Sequence, residues 1–118
     1  MMAKRGGVAH RPIKSGEFTI VFGSSETEKG WADLRATQGN ALADAWDFLT
    51  RTPLERQAGN HPLRDVLATV TRGGRVHEQW QHKLSGGARL WFYVDGRTVV
   101  LVRCHTRHPN ETQVARRR

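Results

Sequence analysis

Ala88-Arg89-Leu90-Trp91-Phe92-Tyr93-Val94-Asp95-Gly96-Arg97-Thr98-Val99-Val100-Leu101-Val102 is the stretch whose reading decides the fold. Two runs rich in aromatic and β-branched residues flank Asp95-Gly96, a strong hairpin signal. If Val94 and Arg97 bracket a two-residue turn, Phe92 faces Val99 and Leu90 faces Leu101. Leu90, Phe92, Val94, Val99 and Leu101 then share one face, which reads as core. Arg89, Trp91 and Tyr93 point the other way, alongside Val100 and Val102. Cations interleaved with large rings suit RNA, because the cations take phosphates and the rings stack on unpaired bases. Strict alternation carried onward puts Cys104 with Val100 and Val102. It puts Arg103, His105 and Arg107 on the core side, opposite Arg89.

Upstream, a three-residue turn at Ser85-Gly86-Gly87 pairs Lys83 with Arg89 and Gln81 with Trp91 on the outer face. Trp80, His82 and Leu84 then enter the core side. A two-residue turn would bury the Lys83 ammonium group, which is costly. Residues 66–72 and 75–84 read as strands about Gly73-Gly74, and residues 52–65 as a polar connection. Leu42, Ala45, Trp46 and Leu49 recur at helical spacing, predicting a helix over 41–51 that Pro53 stops. Before it, Ser24 and Ser25 offer caps. Glu28 three residues after Ser25 has the pattern of a capping box for a helix running to about Thr37. Residues 17–22, Glu-Phe-Thr-Ile-Val-Phe, read as a first strand. The predicted class is α+β: a small antiparallel-rich sheet with an N-terminal strand and a two-helix hairpin packed on one face.

The 118 residues suffice for one domain, placed at 17–110. Residues 1–16 read as a disordered basic arm and 111–118 as a basic tail. The arm is expected to contribute nothing to thermal stability. The formal charge is +8, unevenly spread. Residues 15–55 hold three basic and seven acidic side chains, whereas residues 56–106 hold eight basic and three acidic. Such separation suggests an anionic partner for the C-terminal half. A single cysteine excludes an internal disulfide framework, and no apolar run reaches membrane-spanning length. A cytoplasmic location away from membranes is the expectation.

The order of elements resembles the RelE/ParE superfamily of bacterial type II toxins. The likeness is carried most specifically by His82-Lys83-Leu84, by the 88–102 stretch, and by the polar ending with Arg107. The resemblance implies a β-α-α-β-β-β fold, a cognate antitoxin as partner and, in the RelE branch, cleavage of mRNA on the ribosome. The same scaffold includes gyrase-directed toxins, so a non-catalytic or gyrase-directed toxin is one alternative. A small basic nucleic-acid-binding module is another. Lys83 matches the family's strand lysine, Arg89 the arginine opening the next strand, and Arg107 the arginine after the last. Gln81 stands where a second lysine is usual, Ala88 replaces an aromatic, and no tyrosine follows Arg107.

Cleavage through a 2′-hydroxyl needs a proton acceptor, a stabilised phosphorane and a proton donor, without metal or cofactor. Lys83 and Arg89 suit the phosphate. His105 or His108 suits the proton transfers, a histidine's ordinary pKa being near ~6.5. The catalytic candidates are therefore Lys83, Arg89, His105, Arg107 and His108, with Glu78 as a weaker base. The RNA-binding candidates are Gln81, Trp91, Tyr93 and Arg103. No ligand spacing among the histidines marks a zinc site, and Cys104 lacks an activating partner.

Overall fold

Thr19–Phe22, a run of β-branched and aromatic residues, forms strand β1 in the computed structural model, which describes residues 5–106. The chain then enters helix α1, Ser25–Thr37. Its N-cap is Ser24, whose hydroxyl accepts from the Thr27 N–H while the Thr27 hydroxyl accepts from the Ser24 N–H. The box thus starts one residue earlier than the Ser25/Glu28 pattern suggested, and Thr27 closes it. Helix α2, Gly39–Arg51, follows after Gln38 alone and buries Leu42, Ala45 and Leu49. Trp46, the fourth residue of that stripe, is only half-buried and meets Trp31 of α1 edge-on at 6.2 Å.

Beyond the helices lie β2 (Asn60–Pro62), a 3₁₀ turn (Asp65–Leu67), β3 (Thr69–Arg72), β4 (Arg75–Glu78), β5 (Trp80–Lys83), β6 (Arg89–Asp95) and β7 (Thr98–His105). Five strands form one sheet in the order β1-β7-β6-β5-β2, with β1 parallel to β7 and the other pairs antiparallel. Strands β3 and β4 form a separate two-stranded ribbon. The class is α+β, with two helices and a mostly antiparallel mixed sheet. Among the described residues no helix is long and apolar enough to cross a membrane.

The core lies between the helices and one sheet face. Leu34, Leu42, Ala45 and Leu49 meet Trp80, Leu90, Phe92, Val99 and Leu101 there, with Leu84 packed alongside. His82 enters this layer as expected. Its ring lies 4.9 Å from Phe48 and its Nδ1 3.1 Å from the Asn60 Oδ1. Asn60 is fully buried and donates through Nδ2 to the carbonyls of Pro53 and Glu55, tying β2 and the chain before it to the sheet. Burial pushes the His82 pKa down to about 4.

Several expectations need revision. The stretch read as a polar connection contains β2, held to β5 with Asn60 opposite His82. The strand foreseen over 75–84 breaks at buried Gln79. Its side chain donates to the Leu67 carbonyl and its N–H to that of Ala68, and the chain steps there from ribbon to sheet. The strand foreseen over 66–72 begins only at Thr69, because a 3₁₀ turn occupies 65–67. The β6–β7 ladder closes at Asp95 opposite Thr98, with Val94 opposite Val99. The turn is therefore Gly96-Arg97, and Gly96 takes the positive φ of +62° that a leading turn glycine allows. This moves the register by two, so every side chain keeps its foreseen face up to Leu101.

Residues 5–16 carry no helix or strand, yet the end of this arm is held. The Arg11 guanidinium donates to both oxygens of Glu17 at 2.7 and 3.1 Å, and the Lys14 N–H donates to Glu17 at 2.8 Å. The Arg11 hydrogen bonds, seconded by the Lys14 N–H, hold the Glu17 carboxyl down to about 2. Arg97 donates to the Gly16 carbonyl and lies 4.2 Å over the Phe18 ring. An arm with no structural contribution is thus not what the fold contains.

Candidate functional site

The site is built on β5, β6 and β7, whose registers set which side chains stand together. Lys83 pairs with Arg89 and Gln81 with Trp91, as the three-residue turn requires; the Leu84 N–H donates to the Ala88 carbonyl across that turn. Between β6 and β7 the ladder runs regularly through Phe92 opposite Leu101, then changes phase. Trp91 lies opposite Arg103, Leu90 opposite Cys104, and Arg89 opposite His105. Val102 is the extra residue of a β-bulge, and every side chain beyond it changes face.

This bulge overturns the strict alternation. Arg103 and His105 stand on the outer face beside Trp91 and Arg89 rather than opposite them. Cys104 turns inward to pack against the core, away from Val100 and Val102. Its burial drives the thiol up to about 12. Two transverse rows result on the outer face: Lys83, Arg89 and His105 in one, Gln81, Trp91 and Arg103 in the next. Neighbouring strands lie about 4.8 Å apart, so the backbones under Lys83 and His105 are only roughly 10 Å from one another.

The two rows differ in access. Lys83 and Arg103 are exposed, and Arg89 and His105 are half-buried. Trp91 is 2% exposed, Gln81 3% and Tyr93 7%. These last three were expected to offer ring faces and amide groups to RNA, and the fold withholds them. The Trp91 indole N–H donates to the Gln81 Oε1 at 3.0 Å, which satisfies both polar groups out of water. The Tyr93 ring is covered by His77 of β4, stacked at 4.2 Å, so the ribbon lies across the outer face at that row. The sheet alone cannot announce this, because the covering ribbon folds back from an earlier part of the chain. Trp91 instead supports the cationic row from beneath, with the His105 ring edge-on to it at 4.4 Å.

Arg89 is the less exposed of the two cations in the row. Its Nε is buried and has no hydrogen-bond partner among the described residues. Arg103 reaches Glu26 of α1 at 3.9 Å across a groove of about 330 Å³ between α1 and the end of β7. Sequence reasoning did not find that groove. Its only signal is Gly30 in mid-helix, a residue that marks close backbone approach. Glu78, the weaker base candidate, accepts from the Trp80 indole N–H at 3.0 Å. Arg107 and His108 lie outside the described residues.

The outer face therefore offers a lysine, an arginine and an imidazole in one row, with a second arginine beside them. Such a set can bind a phosphodiester and move a proton at it. No family model matches this chain, and no curated protein matches it.

Proposed function

We propose that this chain is a toxin of the RelE/ParE type that cuts mRNA on the ribosome and so stops translation. One observation carries the reading. The bulge at Val102 sets His105 in register with Arg89 and Lys83, on a face that plain alternation denies it. The element order also supports it: without β2 and the β3–β4 ribbon, the chain runs strand, helix, helix, strand, strand, strand.

In this mechanism Lys83 and Arg89 hold the non-bridging oxygens of the scissile phosphate and neutralise the charge that grows there. His105 takes the 2′-hydroxyl proton as that oxygen attacks phosphorus. The 5′-oxygen leaves with a proton, and the products are a 2′,3′-cyclic phosphate and a free 5′-hydroxyl. His105 or His108 serves the second transfer, and Arg107 adds a further cation. The rate relies on the ribosome to hold the mRNA backbone in line for attack. In the cytoplasm a cognate antitoxin with an acidic segment would silence the site by covering the same cations.

Induced expression followed by mapping of mRNA 5′ ends tests this. New cuts at a fixed codon phase are expected, together with growth arrest. Arg89→Ala and His105→Ala should abolish both. Intact translation with no new cuts would remove the reading. A non-catalytic toxin of the same fold is the second reading, favoured by one observation: Gln81, where a second lysine is usual, is buried and bonded to Trp91. Arrest without mRNA cuts, accompanied by loss of DNA supercoiling, would select it.

A further inference from the structure

The β3–β4 ribbon ends in Arg72-Gly73-Gly74-Arg75, and Arg72 stands directly opposite Arg75 in the ladder. Like charges placed directly opposite across two strands destabilise a hairpin. Among the described residues neither guanidinium meets a carboxylate; the ion pairs there are Arg11 with Glu17 and Arg103 with Glu26. Among the described residues Arg72 donates only to the Thr71 carbonyl of its own strand, and both arginines are exposed. The ribbon bearing this repulsive pair is nonetheless firmly seated. His77 stacks on Tyr93, and buried Gln79 bonds to the carbonyls of Leu67 and Ala68. Gly73 and Gly74 both take positive φ, +60° and +77°, with open space around their Cα atoms. The tip thus presents two cations about a turn that carries no side chain.

The tip also has a defined place. Arg72 lines a small cavity with Tyr93, Val100 and Val102, on the face that carries the Lys83, Arg89 and His105 row. Val102 and His105 are three residues apart on β7, on the order of 10 Å of strand.

We propose that the Arg72/Arg75 tip is a second anchor, gripping the phosphates of a helical RNA segment beside the strand held at Lys83 and Arg89. The inference rests on the RNA-cutting reading above and extends it to a structured RNA partner. The repulsion between the two arginines is relieved when phosphates come between them. The glycines let the duplex backbone approach closely. The cationic row serves the phosphate to be cut, and the tip serves phosphates that only hold the protein in place.

The test uses the full chain, a 16-base-pair RNA duplex and the matching DNA duplex, with binding followed by fluorescence anisotropy over a salt series. The double variant R72Q/R75Q should weaken duplex RNA binding roughly tenfold and lower the salt slope by about 2, one for each phosphate that the tip no longer grips. Its melting temperature should equal or exceed that of the natural chain, because the repulsion is gone. An unchanged slope, no binding of duplex RNA by the natural chain, or equal binding of duplex DNA would each overturn the inference. None of these touches the cutting reaction, which is judged separately by the mRNA 5′ ends. Loss of codon-phased cuts would in turn leave a measured duplex RNA affinity standing.

Discussion

A thiol held up to about 12 by burial has almost no thiolate at neutral pH. Cys104 is therefore expected to resist iodoacetamide in the native protein at pH 8 and to react fully in denaturant, as mass spectrometry would read. Rapid native alkylation would contradict the inward turn that the bulge gives it. His82 makes the opposite kind of statement about burial. Its native pKa lies near 4 against about 6.5 in an unfolded chain. Between those values the unfolded chain binds a proton that the native state refuses. Stability from this residue is complete above about pH 6.5 and is lost as the pH falls toward 4. The loss is about 2 kcal/mol, allowing for partial exposure of the ring. Denaturant midpoints at pH 7 and pH 4.5 should show that difference, and His82→Gln, which carries no ionisable ring, should reduce it. Alternation already sent His82 to the core side. Its partner Asn60 was hidden, because a three-residue strand inside a polar stretch carries no periodic signal of its own.

Each helix and strand is legible in proportion to how far its own neighbours determine it. The second helix reads directly, since Leu42, Ala45 and Leu49 recur on one face and all are buried. The β6–β7 hairpin reads directly in which side chains share a face as far as Leu101, though not in its turn, which lies one residue further on, or in its register, which moves by two. The bulge does not, because no residue type demands one at Val102. Just beyond it the end of β7 meets α1. There Gly30 packs so closely that an added Cβ would lie 2.6 Å from the Cys104 carbonyl oxygen and 2.8 Å from its Cβ. Gly30→Ala gains up to about 1 kcal/mol of helix propensity but forces α1 off the strand, at roughly 1–3 kcal/mol. The steric cost wins, and a lower melting temperature is expected. Deleting Val102 is the sharper test. With the extra residue gone, plain alternation from Leu101 keeps Arg103 and His105 on the outer face and Cys104 inward. The melting temperature and any activity should therefore be largely kept. A variant whose Cys104 became open to alkylation in the native state would show that Val102 is not the extra residue of the ladder.

At the scale of the molecule, an acidic helical segment and a basic C-terminal half were foreseen from charge, and an outer sheet face bearing Lys83 and Arg89 from alternation. The ribbon that covers part of that face was not, since its seat depends on a contact between His77 and Tyr93, sixteen residues apart in the chain. The basic arm likewise proved to be tied down at Arg11 and Lys14. Removal of residues 1–14 should therefore lower the melting temperature measurably in low salt, and less in high salt, where the Arg11–Glu17 pair is screened. Removal of residues 1–10 alone should leave it unchanged. One further consequence follows from β1 lying parallel to β7, at the opposite end of the described chain. Of the five strands of the main sheet, β7 is translated last, and it takes an interior place between the first strand and β6. Until β7 emerges, β1 has no neighbour in the sheet and His105 does not exist beside Arg89. On the proposed reading, a chain still being made is harmless by construction: the cutting row comes into being only when the final strand slides into a slot that the rest of the protein has waited to close.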